Sequence, residues 1–151
     1  YSMSETVLKI IPKDPEFVPT IDAIEKTEKY IKSLSKSYCD IKIIHTEEVR
    51  FIDQGSNFEG ISCPICTSEI RIEWWSEAMA EAAEAQFSLL QITVPCCNSN
   101  TSLNSLDYNW NAGFARFSIE FHNLLKVNTE HLIGELEGKL CCSLRKVVAN
   151  Y

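Results

Sequence analysis

No run of about 18 apolar residues occurs anywhere in this sequence, so it contains no candidate membrane-spanning helix. Glycine is scarce, at 5 residues, and none forms a phosphate-cradling loop. GxSxG and HExxH are absent too, so the familiar serine-hydrolase and zinc-protease signatures are missing. The 3 histidines are far apart in the sequence. Cations are outnumbered, with 14 Lys and Arg against 21 Asp and Glu, for a formal net charge of -7. A general nucleic-acid binder needs a cationic surface to displace counterions from phosphates, so that class is disfavoured. No basic segment followed by an apolar one opens the chain, which disfavours a secretory leader. What is present is an ordinary globular composition: 45% hydrophobic and 23% charged residues, too apolar for a disordered chain. At 151 residues the expectation is a single domain spanning 1–151.

Charge and cysteine share one region. Residues 51–100 carry one basic side chain, Arg71, against seven acidic ones, and four of the 7 cysteines. An odd cysteine count without a leader argues against a disulfide framework. It points to a reducing cytoplasm, where clustered cysteines usually mean metal.

The strongest local motif is Cys63-Pro64-Ile65-Cys66, whose spacing lets two sulfurs face one ion. Pro95-Cys96-Cys97 is its expected counterpart, and turn-forming residues follow both. Cys63, Cys66, Cys96 and Cys97 are therefore the expected ligands of a structural zinc, in a zinc-ribbon-like element over residues 63–97. Adjacent cysteines share an ion only if the backbone bends sharply between them. The alternative keeps one of Cys96 and Cys97 and takes His122 or His45 as the fourth ligand. CPxC also occurs in thiol oxidoreductases, but there a helix follows, whereas the residues after Cys66 alternate like a strand. A closed four-ligand site holds structure and does not catalyse, stapling residues 67–95 to the sheet. Cys39, Cys141 and Cys142 read as core or strand residues.

Periodicity predicts strands at 7–11 and 40–45 flanking a helix capped by Thr20, with Ile21, Ile24, Ile31 and Leu34 on its inner stripe. Together these resemble a β-α-β unit. Residues 49–53 and 58–62 read as a hairpin around Gly55-Ser56-Asn57. Residues 69–75 (EIRIEWW) alternate like a half-buried strand. Ser76 is the expected cap of the next helix, which buries Trp75, Met79, Ala83, Phe87 and Leu90. Further strands are expected at 89–94, at 113–122 and at 144–149, with a helix capped by Thr129 before the last. Tyr108 and Trp110 read as covering one end of the core. The whole is α+β, with a mostly antiparallel sheet and about three helices.

The segments FIDQGSNFE, CPIC, EWWSEAM, PCC, SLNSLDYNW and AGFARFSIE, in this order, resemble a small bacterial family of similar length whose activity is not established. The resemblance runs from about Val7 to the C-terminus. It implies a bacterial cytoplasmic setting and a zinc-ribbon-like element, and no reaction. Thr67 and Asn98 stand where glycine would ease the left-handed turn that closes each knuckle.

The functional expectation is a non-enzymatic module that binds a basic protein, as an immunity protein binds a toxin. Glu73, Glu77, Glu81, Glu84 and Trp75 are the expected contact face, since acidic complementarity speeds association. The alternative is a zinc-ribbon nucleic-acid- or transcription-associated module, favoured by the knuckles and opposed by the charge. A third possibility is an enzyme with Cys63 or Cys96 as nucleophile.

Overall fold

The structure is a computed structural model that describes residues 5–34, 40–123 and 128–151. In chain order its elements are β1 (Thr6–Pro12), α1 (Ile21–Ser33), β2 (Asp40–Ile52), β3 (Ile61–Ser62), α2 (Ile72–Glu84), β4 (Gln91–Thr93), β5 (Asn100–Ser102), β6 (Asp107–Tyr108), β7 (Gly113–His122), α3 (Thr129–Leu140) and β8 (Leu144–Asn150). The protein is α+β, and the main sheet has the order β2-β7-β1-β8 with every neighbouring pair antiparallel. Because β1 and β2 are each antiparallel to β7, they run parallel to one another with β7 between them. The β-α-β unit expected from sequence is therefore present in split form. With α3 and β8 it makes a β-α-β-β-α-β, ferredoxin-like arrangement. Residues 53–112 are a long insertion between its second and third strands.

One face of the sheet buries Leu8, Ile10, Phe117, Ile119 and Phe121 against Ile24, Ile31, Leu132, Leu136 and Leu140 of the helices. Thr20 caps α1 as expected, its hydroxyl accepting from the Ala23 amide at 3.1 Å. Ile21, though on the apolar stripe, is 77% exposed, and Thr27 takes an inner position instead. The Thr27 hydroxyl is satisfied there by the Ala23 carbonyl at 2.8 Å. Asn128, not Thr129, caps α3, accepting from the His131 amide. Cys141 ends α3 at φ 59 and is exposed, so it is a helix cap and belongs to neither core nor strand. Cys142 packs on the helix-side core, and Cys39 lies outside the described residues.

The insertion has its own core, joined to the sheet through Val49 of β2 and Phe114 of β7. Two expectations fail here. The hairpin does not form: β2 continues to Ile52, and β3 pairs with β6 instead. Gly55 still turns the chain, at φ 60, but it carries the backbone to the edge of β8, where Ser56 donates to the Asn150 carbonyl. A Cβ at Gly55 would lie 2.3 Å from that carbonyl oxygen, so the turn requires glycine. The second failure is EIRIEWW, which is helical from Ile72 onward. Arg71 takes the cap position, and Ser76 lies inside the helix. The alanine- and glutamate-rich stretch that follows Trp75 propagates α2 back through the tryptophans, overriding a local alternation only a few residues long. Ala82, not Ala83, is the buried alanine.

On the opposite face of the sheet Lys9 is buried, and its ammonium donates to Asp53 Oδ1 at 3.0 Å, the Asp53 carbonyl at 2.9 Å and Tyr151 Oη at 2.7 Å. Tyr151 in turn donates to Asp53 Oδ2 at 2.9 Å. Burial lowers the Lys9 pKa, but the bonds to Tyr151 and Asp53 outweigh it and hold it above its ordinary value. Burial raises Asp53, and the bonds from Lys9 and Tyr151 hold it below the usual carboxylate value. A depressed carboxylate contributes stability above its unfolded pKa of about 3.9, and that contribution fades as pH falls through the folded value. Asp53→Asn should therefore destabilise the protein at neutral pH by about 1 kcal/mol, the worth of a charged hydrogen bond reduced by solvent screening of a carboxylate that is 42% exposed. Urea midpoints between pH 3 and 7 should converge with those of the parent at the acid end. Equal midpoints at pH 7 would show that this contact contributes nothing.

Candidate metal centre

Two turns of the insertion carry its sulfurs. In the first, the Cys63 amide donates to the Ser68 carbonyl at 2.8 Å and the Thr67 amide to the Cys63 carbonyl at 3.0 Å. In the second, Val94 donates to Ser99 at 3.0 Å and Asn98 to Val94 at 2.9 Å. The hydrogen bonds match position for position, so Cys63-Pro64-Ile65-Cys66-Thr67-Ser68 and Val94-Pro95-Cys96-Cys97-Asn98-Ser99 are the same turn. Thr67 and Asn98 close them at φ 66 and φ 56. Glycine is therefore replaced at a left-handed position in both, as the sequence led us to expect.

This alignment explains the adjacent cysteines. The first knuckle uses its first and fourth positions. In the second knuckle Val94 fills the first position and is fully buried, while the sulfurs come from the third and fourth. The bend between the third and fourth positions turns both Cys96 and Cys97 toward the first knuckle. The Cys63 and Cys97 sulfurs lie 3.9 Å apart and those of Cys66 and Cys96 3.3 Å apart. All four lie within 4.8 Å of one another. A tetrahedron with about 2.3 Å metal–sulfur bonds has edges of about 3.8 Å, so the group has the dimensions to hold an ion. The alternative fourth ligands are elsewhere: His122 bonds Glu5 and Glu120, and His45 is exposed on β2.

The electrostatics suit charge held on sulfur. The amides of Ile65 and Cys66 donate to Cys63 Sγ at 3.4 and 3.5 Å. Donation by Ser68 draws the Cys66 thiol down to about 6, and donation by the Cys66 amide lowers Cys63. Cys96 is pushed up to about 12, chiefly by its contact with Cys66. An ion bound here would displace the protons the thiols still share, so its apparent affinity would fall as pH falls.

The staple differs from expectation in what it joins. The first knuckle extends from β3, which pairs with β6, and the second links β4 to β5. An ion here clasps two small hairpins to each other, while apolar packing attaches them to the main sheet.

Beside the knuckles lies an open groove of about 650 Å³ between α2 and β4, whose lining includes Trp74, Glu77, Glu81, Glu84, Leu89 and Thr93. Glu73 is exposed at the start of α2, outside the groove, within 3.6 Å of Arg71. Trp75 points away from that face. Its ring packs against Phe51, Phe58 and Tyr108, with Nε1 donating to Tyr108 Oη at 3.3 Å. Trp74, which the alternating reading separated from it, is the tryptophan of the groove. Tyr108 is buried and donates to the Leu103 carbonyl at 2.7 Å, whereas Trp110 is 42% exposed.

Comparison with family models, with curated proteins and with solved structures finds no match to this chain.

Thr67 is β-branched in a conformation that disfavours a side chain by roughly 1–2 kcal/mol. Thr67→Gly should stabilise the protein by about 1 kcal/mol, less the loss of its hydroxyl contact to the Cys66 carbonyl. A urea midpoint lowered by the substitution would contradict the strain.

Proposed function

We propose that this chain is a non-enzymatic binding module, in which a zinc-ribbon-like insertion presents an acidic groove to a basic protein partner. The carrying observation is the groove itself: Glu77, Glu81 and Glu84 line it together with apolar side chains, and no lining residue is cationic. Zinc is the ion that suits four thiolates in a closed tetrahedron, because it has no redox demand and tolerates a site without open positions. Cys63, Cys66, Cys96 and Cys97 would hold it, leaving no place for a catalytic water. Four thiolates around one divalent ion add negative charge beside the groove. This deepens the field that favours a basic partner and opposes nucleic acid. An immunity protein masking a basic toxin in a bacterial cytoplasm is one protein of this description.

Elemental analysis of protein purified without added metal should give about one zinc per chain, and Cys63→Ser should lose both the zinc and much of the stability. Metal-free parent protein with unchanged melting behaviour would refute the zinc assignment. A short lysine-rich peptide should bind the parent at low salt, weaken as salt rises, and fail against Glu77→Lys/Glu81→Lys/Glu84→Lys. Undiminished binding by that variant would remove the groove from the proposal.

A further inference from the structure

The groove has a second wall that chemistry other than charge can recognise. Among the described residues β4 pairs with β5 alone, leaving its other edge without a partner strand. Across that ladder Val94 donates to Ser99 and Leu103 donates to Leu90. In an antiparallel pair such contacts recur at every second residue. Leu90, Ile92 and Val94 therefore turn their backbone groups toward β5. Gln91 and Thr93 turn their N–H and C=O groups toward the free edge, and both residues line the groove. Leu89, 70% exposed, and the half-buried Ile92 add apolar surface beside them.

Resting on the acidic-groove reading above, we infer that the partner docks as an extended, lysine- or arginine-bearing segment that adds a strand to the free edge of β4. Backbone pairing with Gln91 and Thr93 supplies register, and the α2 carboxylates select cationic side chains on the segment. The dimensions agree. Glu77 and Glu81 are about 6 Å apart along the helix axis, close to the roughly 6.8 Å repeat of alternate residues in an extended chain. A segment with cations at every second position would match that carboxylate spacing. A helical partner could satisfy the carboxylates but not the edge.

The test uses the zinc-loaded 151-residue chain and peptides of about nine residues with lysine at every second position and valine between. The expected result has two parts: binding at low salt with slowed hydrogen exchange at the Gln91 and Thr93 amides, and at least a tenfold loss of affinity when the valine amides of the peptide are N-methylated. Methylation removes backbone donors and leaves the charge intact, so it separates the two components. Equal binding by the methylated peptide, with the Gln91 and Thr93 amides unprotected, would overturn strand addition while leaving the acidic groove standing. No binding by either peptide would overturn both.

Discussion

The contact between the two knuckles is the constraint on which the insertion depends. Residues 53–112 supply four strands of two or three residues, one α-helix and a short 3-10 turn, so their order rests on packing more than on strand pairing. Bringing Cys63 and Cys66 within 4.8 Å of Cys96 and Cys97 fixes one hairpin against the other. The apolar cluster around Ile61, Ile70, Leu103 and Tyr108 then has a defined shape into which Trp75 and Phe87 can pack. The orientation of α2 follows from that packing, and the placement of its carboxylates follows from α2. Acidic residues alone would make only a soluble surface. Held opposite a strand edge, they become one wall of the groove between α2 and β4.

The split β-α-β frame was legible where side-chain pattern and burial agree. Residues 115–122 alternate in sequence, and Ala115, Phe117, Ile119 and Phe121 are all buried, although Phe114 and Ser118 on the other face are buried too. Sequence was less reliable for caps: Thr20 caps α1, but Ser76 lies inside α2 and Asn128 takes the place expected of Thr129. What sequence could not supply was pairing. Whether β2 turns back on itself or pairs with a strand 60 residues away is decided by contacts distant in the chain. EIRIEWW failed for a related reason: an alternation of a few residues fits a strand and the start of a helix alike. Only the alanine- and glutamate-rich stretch beyond it resolves the ambiguity.

The candidate centre was more legible than its surroundings. Its four cysteines could be named from spacing, and the left-handed positions at Thr67 and Asn98 from turn chemistry. The reason both adjacent cysteines can serve was also available, since aligning the two six-residue turns by their prolines puts Val94 under Cys63. Trp75 reads in sequence both as a buried residue of the second helix and as part of the contact face, and the structure keeps the first of these, packing it on Phe51, Phe58 and Tyr108.

Substituting Val94 for a first-position sulfur also gives the cage a front and a back. Cys63 is buried at the back, whereas Cys96 stands exposed at the front beside Cys66. An ion held in such a cage would be approached unevenly: a chelator or a delivering thiol would meet the exposed Cys96 first and the buried Cys63 last, with Cys66 and Cys97 at intermediate depth.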